Sequence, residues 1–174
     1  QLSNFEIDSA LQSFEKVVTL NPSSPKGYLG LSDVYSLVGQ YEEAKKNCLK
    51  ALEIDSSSPV IIYKMGVLEA KLNHYDKAKT RFKQCIDNSS DKSLGFSGMG
   101  KLYYANSTVI ENFKDYTTLR KIDSALVYLK LAVQEAPLNK DYLIDLADFY
   151  VFLYSMGKDK DMEAYLKNLF PAAN

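Results

Sequence analysis

The sequence predicts an all-α fold, a solenoid of about nine helices stacked in pairs. Three observations predict it. Ala10, Ala44 and Ala78 stand 34 residues apart, and Phe14, Cys48 and Phe82, then Val17, Ala51 and Cys85, follow the same step. With that step a small residue recurs at Ser32, Gly66 and Gly100, and a large one at Tyr28, Ile62 and Phe96. Chain-breaking pairs, Gly39-Gln40 and Asn73-His74, recur between two helical stripes. A period near 34 with small and aromatic residues at set phases marks a helix–turn–helix repeat, in which neighbours must stack to bury their apolar faces.

The elements follow in order. Residues 5–24 read as the second helix of a truncated repeat, with Ala10, Phe14 and Val17 in phase and Asn21-Pro22-Ser23-Ser24 ending it. Its first helix would lie before Gln1, so the native chain is expected to continue there. The repeat 25–58 opens on Pro25, at home in a helical first turn that needs no donor. Tyr28, Leu31, Tyr35 and Val38 line its first helix; Tyr41, Ala44, Cys48, Ala51 and Leu52 line its second; Asp55 to Ser58 close it. The repeat 59–92 copies this with Ile62, Met65, Gly66 and Glu69, then Tyr75, Ala78, Phe82 and Cys85.

The repeat 93–139 begins in phase with Phe96, Met99, Gly100 and Tyr103. Its next in-phase alanine, Ala125, comes 47 residues after Ala78, so about thirteen residues are inserted near 106–121. Val109, Ile110, Phe113, Tyr116 and Leu119 give the insert an apolar stripe. It reads as an extension of one or both flanking helices, or as a short extra helix. Residues 140–174 form an irregular C-terminal repeat or cap. Leu143, Leu146, Ala147 and Tyr150 are in phase, a charged turn follows at 157–161, and a short last helix spans 162–170. The whole chain, 1–174, reads as one array.

These residues resemble the tetratricopeptide repeat (TPR) family. "PKGYLGLSDVYSLVGQYEEAKKNCLKALEIDSS" carries the family's large and small positions at Tyr28, Leu31, Ser32, Tyr35, Ala44, Ala51 and Leu52. The typical "YEEA" turn is Tyr41 to Ala44, echoed by "YDKA" at Tyr75 and "IDSA" at Ile7 and Ile122. The unit-end proline stands at Pro22 and Pro137 and is serine at Ser56 and Ser90. The resemblance covers about residues 5–156, the insert excepted. It implies a right-handed superhelix whose first helices line a concave groove.

Composition narrows the function. Of 174 residues 46% are hydrophobic and the net charge is −1, so no global field draws the chain to nucleic acid or anionic membranes. No apolar run approaches the ~18–20 residues that span a bilayer, so no membrane insertion is expected. No signal segment opens the sequence. The compartment is unknown; a soluble, cytoplasmic chain is slightly favoured, and an export signal removed before Gln1 stays open. Cys48 and Cys85 occupy interior phases and read as buried, reduced thiols. The acceptor tripeptides at Asn88 and Asn106 carry little weight without a secretion signal.

No chemistry stands out. Gly95 to Lys101 matches the spacing of a phosphate loop, but Leu102 replaces the metal-holding hydroxyl and Gly100 belongs to the repeat. His74, the single histidine, lies in a turn. Asp159, Asp161 and Glu163 lack the glycine of a calcium loop. Asp145 and Asp148, one helical turn apart, read as an acidic face. No catalytic residue, cofactor or metal is expected, and the chain is not expected to be an enzyme.

By the resemblance, groove-facing residues occupy set places of each first helix. They include Leu29, Asp33, Tyr63, Lys64, Val67, Lys71, Lys101, Tyr104, Asp145 and Asp148, with Gly30, Ser97 and Gly98 leaving room for a partner's backbone. The Lys and Asn clamp that some relatives close on a terminal carboxylate is replaced by Leu29, Asp33, Lys64, Leu94 and Gly98. The expected function is a protein-interaction scaffold binding a peptide segment of another protein, with Tyr63 and Tyr104 as anchors, a basic strip at Lys64, Lys71 and Lys101, and an acidic end. The alternatives are self-association through the 106–121 insert into a homo-oligomer, or an accessory module of a longer enzyme or transport component.

Overall fold

The computed structural model describes residues 4–107 and 116–156. They form eight helices: α1 Asn4–Leu20, α2 Pro25–Leu37, α3 Tyr41–Ile54, α4 Pro59–Lys71, α5 Tyr75–Asn88, α6 Ser93–Ser107, α7 Tyr116–Glu135 and α8 Lys140–Met156. The described residues contain no strand. The ninth helix expected at 162–170 and the charged turn before it lie outside the described residues. Two compact units divide the chain, Gln1–Ser90 with α1 to α5 and Asp91–Asn174 with α6 to α8.

The turns inside the repeats are built alike. Gly39 and Asn73 both take left-handed backbone, at φ 78° and 61°. After each, an amide reaches back to the helix: Gln40 N–H to Tyr35 C=O at 2.9 Å, and His74 N–H to Glu69 C=O at 2.8 Å. Gly39 and Asn73 also donate to Ser36 and Ala70. This double closure satisfies carbonyls that a helix end leaves open, and glycine or asparagine is the residue that tolerates it. Two helix starts are capped by short polar side chains. Ser24 accepts from Lys26 N–H, and Asn139 from Asp141 N–H at 3.0 Å.

Small residues on first helices meet the matching phase of the second. A Cβ on Gly66 would lie 2.6 Å from the Phe82 ring, and one on Gly100 2.7 Å from Leu129. In the repeat 25–58 the same places hold Ser32 and the smaller Cys48, both buried. At this contact the first helix thus gives up volume where the second brings a larger side chain. Around it Ala44, Cys48 and Ala51, and Ala78, Phe82 and Cys85, are closed from solvent, as are Ile122, Ala125, Leu129 and Phe149 in the second unit. On α1 the same phases are more open: Ala10 and Phe14 are half-buried and Val17 is 39% exposed. Phe14 turns onto α2, where it fills the space beside Gly30.

Both cysteines are free and buried, bracketing the start of α4. Cys85 Sγ donates to Pro59 C=O at 3.5 Å and Cys48 Sγ to Ile61 C=O at 3.8 Å. Burial pushes both thiols up to about 11, which keeps them protonated and unreactive.

The insert lengthens both helices that flank it. α6 runs 15 residues where α2 and α4 run 13. α7 starts at Tyr116, ahead of Ile122, the residue matching Tyr75 at the start of α5. Residues 108–115, with Val109, Ile110 and Phe113, lie outside the described residues.

One charged residue sits in an aromatic slot. Glu69 holds the phase of Tyr35 and Tyr103, yet it is 5% exposed. Its carboxylate takes Lys45 Nζ at 3.1 Å and His74 Nδ1 at 2.7 Å. The acid therefore ties α3, α4 and the turn into α5 together. Burial raises the Glu69 carboxyl, and the hydrogen bonds from His74 and Lys45 outweigh it, holding the group below its ordinary value.

Gly66→Val should lower stability by about 1–3 kcal/mol through overpacking against Phe82, and Phe82→Leu in the same chain should recover part of it. Thermal unfolding of wild type and the two variants measures this, and an unchanged midpoint for Gly66→Val refutes the volume trade. Because the Glu69 carboxyl is depressed in the folded chain, its stabilisation is present above the unfolded value and is lost as pH falls through the folded one. Glu69→Gln should therefore be destabilising by about 1–3 kcal/mol at neutral pH, with the gap from wild type narrowing below about pH 4. Urea unfolding across pH 7 to 3 reads it; a gap independent of pH would show that Glu69 acts by packing alone.

Candidate functional site

The first helices carry the candidate residues, and the two units are taken separately. In the first unit α2 and α4 bring Leu29, Asp33, Tyr63, Lys64, Val67 and Lys71. Leu29 is half-buried and packs on the cluster of Cys48, Ile61, Met65 and Leu68. Asp33 on α2 and Lys64 on α4 form an ion pair. The Tyr63 ring lies against Phe82, centroids 5.7 Å apart. Val67 is half-buried and Lys71 exposed. At the rim of this surface Leu37 is 67% exposed and Val60 47%.

In the second unit α6 and α8 bring Lys101, Tyr104, Asp145 and Asp148. Lys101 Nζ lies 2.8 Å from Asp145 Oδ2. The Tyr104 ring stands edge-on to Phe149 and beside Phe152, both at 5.1 Å. Burial, with Asp148 next in weight, pushes the Tyr104 hydroxyl up from its ordinary value. Asp148 itself is exposed.

Two features differ from the sequence-based expectation. The room expected at Gly30 is taken by Phe14, and Ser97 and Gly98 are buried, so none of the three is open to a partner's backbone. Of the basic strip expected at Lys64, Lys71 and Lys101, Lys64 and Lys101 are each matched by an acid of their own unit, and Lys71 is exposed. Both pairs join the ninth residue of one first helix to the sixth of the next, with opposite polarity, Asp33 to Lys64 and Lys101 to Asp145. The repeat register places all four residues on these faces, and their opposite signs across one helix step are the signal that could have foretold the pairing. Glu69 lies in what reads as an apolar stripe. Its phase, shared with two tyrosines, conceals a buried acid whose partners come from α3 and a turn.

Among the described residues nothing assembles a catalytic set. Gly95 to Lys101 lies within α6, with Gly100 against Leu129, so no phosphate-binding turn forms. His74 spends its Nδ1 on Glu69. Asp145 faces Lys101 while Asp148 is exposed, so they do not act as a carboxylate pair. Among the described residues no group of three metal-ligating side chains converges, and no helix is long and apolar enough to cross a membrane. Asp159, Asp161 and Glu163 lie outside the described residues.

Comparison with known proteins agrees with the repeat geometry. The tetratricopeptide repeat profile matches residues 25–58, and a second profile of that description matches 61–91. Mouse tetratricopeptide repeat protein 21A is 22% identical over 71% of this chain, and the TPR repeat-containing protein YpiA of Bacillus subtilis is 29% identical over 49%. The matched segments are 9% and 20% of those two proteins, so the chain corresponds to a small part of each. Among solved structures, a thermophilic TPR protein of Thermus thermophilus superposes with TM-score 0.67 at 20% identity, covering 83% of this chain and 73% of that one. The first TPR of Spaghetti (RPAP3) gives 0.55 at 15% identity, covering 75% and 94%. The fold is therefore that of TPR solenoid proteins, and residues 25–58 and 61–91 of the chain each match a tetratricopeptide repeat.

Proposed function

We propose that the chain is an adaptor that holds a peptide segment of a partner protein on its first-helix faces. The TPR fold is in general a protein-interaction scaffold and is typically without enzymatic activity. The observation that carries the finer reading is the surface of α2 and α4. Two adjacent helices join there through Asp33 and Lys64, and their rim leaves Leu37 and Val60 exposed beside half-buried Leu29, Tyr63 and Val67. Apolar side chains set around a fixed polar pair suit an extended or helical segment that contributes its own apolar residues.

The solved TPR of Spaghetti (RPAP3) is bound to an HSP90 peptide, SRMEEVD. This chain has different groups at the corresponding clamp places, Leu29, Asp33 and Lys64 among them. Lys64 is already neutralised by Asp33, so a partner carboxylate would compete with an internal acid. The segment we propose is therefore held mainly by apolar contact, with Lys71 as the exposed cation at one end of α4.

A partner recovered by affinity capture with the full chain supplies the test. Leu37→Glu and Lys71→Glu, both at exposed positions, should each weaken its binding about fivefold or more, the scale of an interface residue worth over 1 kcal/mol. Lys83→Glu on the outer side of α5 should leave it unchanged. Equal binding by all three variants and wild type would refute the first-helix face as the site.

A further inference from the structure

The two ion pairs describe how one first helix is covered by the next. On α2 the stripe Leu29, Asp33, Ser36 is covered by α4, which sets Lys64 on Asp33 and, four residues on, buries Leu68. On α6 the matching stripe Ser97, Lys101, Tyr104 is covered by α8, which sets Asp145 on Lys101 and buries Phe149 four residues on. The covering helix thus carries a charge opposite to the ninth residue it meets, and a large apolar residue one turn later.

The same stripe on α8 is Ile144, Asp148, Val151. Ile144 is 55% exposed and Val151 68%, with Asp148 exposed between them. In the covered counterparts the apolar and small members are less open: Ser97 is buried and Leu29, Ser36 and Tyr104 are half-buried, while Asp33 and Lys101 are exposed like Asp148. Among the described residues, this carboxylate, flanked one turn to either side by exposed aliphatic residues, repeats without a covering first helix the stripe that is covered on α2 and α6.

We propose that this edge of α8 docks an amphipathic helix of a partner protein, one carrying Lys or Arg four residues before a large apolar side chain. Charge complementarity selects the cation, because Asp148 holds the place of Asp33, which takes Lys64. Asp141, exposed two turns earlier on the same stripe, adds to the negative field. Ile144 and Val151 supply the apolar contact, read as anchors at i and i+7. Asp148 is one of the groove-facing candidates, so this proposal rests on the first-helix reading and extends it to α8, while Leu37→Glu tests the α2 and α4 surface separately.

The probe is a peptide of residues 58–73 of this chain, with Lys64 and Leu68 in the covering register and a neutral polyethylene-glycol tag for solubility. Its Lys64→Glu twin is the comparison. Fluorescence anisotropy with the full chain should show the lysine peptide binding about fivefold tighter than its twin, the upper range for an exposed ion pair. Asp148→Lys in the full chain should reverse that order. Val151→Glu should weaken both peptides more than tenfold while circular dichroism shows the helices intact. Leu37→Glu, which tests the α2 and α4 face, should leave this binding untouched. Equal affinity of the twins, indifference to Val151→Glu, or no binding at millimolar peptide would overturn the proposal. Self-association of the full chain that Val151→Glu abolishes, with no peptide bound, would assign the edge to a second copy and overturn it as well.

Discussion

The contact between the small residue of a first helix and the facing residue of the second is the constraint on which the rest depends. Gly66 lets Phe82 lie against backbone, Gly100 does this for Leu129, and Ser32 faces the smaller Cys48. A small residue on the first helix makes room for the side chain it faces, so the two helices of a repeat pack closely. Repeated in register, that packing lets residues at fixed places of successive first helices meet. The pairing of the ninth place with the sixth follows from that regularity, since a shift of even one residue would separate Asp33 from Lys64.

Charge is used in two ways in this chain. The pairs on the first-helix faces are part-exposed, and such pairs contribute little stability, commonly under about 1 kcal/mol. Their weight lies in register and in the choice of what can stack beside them. Glu69 is the other case. Out of water, it stays ionised because Lys45 and His74 both reach it, and removing one partner would leave a buried charge less than satisfied. That cluster joins a helix of one repeat to the helix and turn of the next, which fixes the orientation of α4, the helix bearing Tyr63, Lys64 and Val67.

Much of the fold is legible because repeats write the same physics several times. The 34-residue step alone identifies the buried phases, and Ala44, Cys48, Ala78, Phe82, Ala125 and Leu129 are all closed from solvent. The left-handed turn at Asn73 follows from its alignment with Gly39. The candidate site is less legible. Its residues fall on the right helices, but repeat phase carries no distances. It cannot show that Phe14 swings into the space beside Gly30, or that two of the three lysines of the basic strip meet acids of their own unit. Both depend on where a side chain from another helix ends up.

The sequence by itself determined the helices, their order, the phases that are buried and the repeat class, because each is set by local periodicity and repeated many times along the chain. Tertiary structure alone decided which charges are cancelled, which aromatic rings are already engaged by Phe82 or Phe149, and which stripe stays open on α8. Those outcomes are set by contacts between residues some twenty to forty-five positions apart, where a difference of one methylene or one charge changes the partner without altering the pattern.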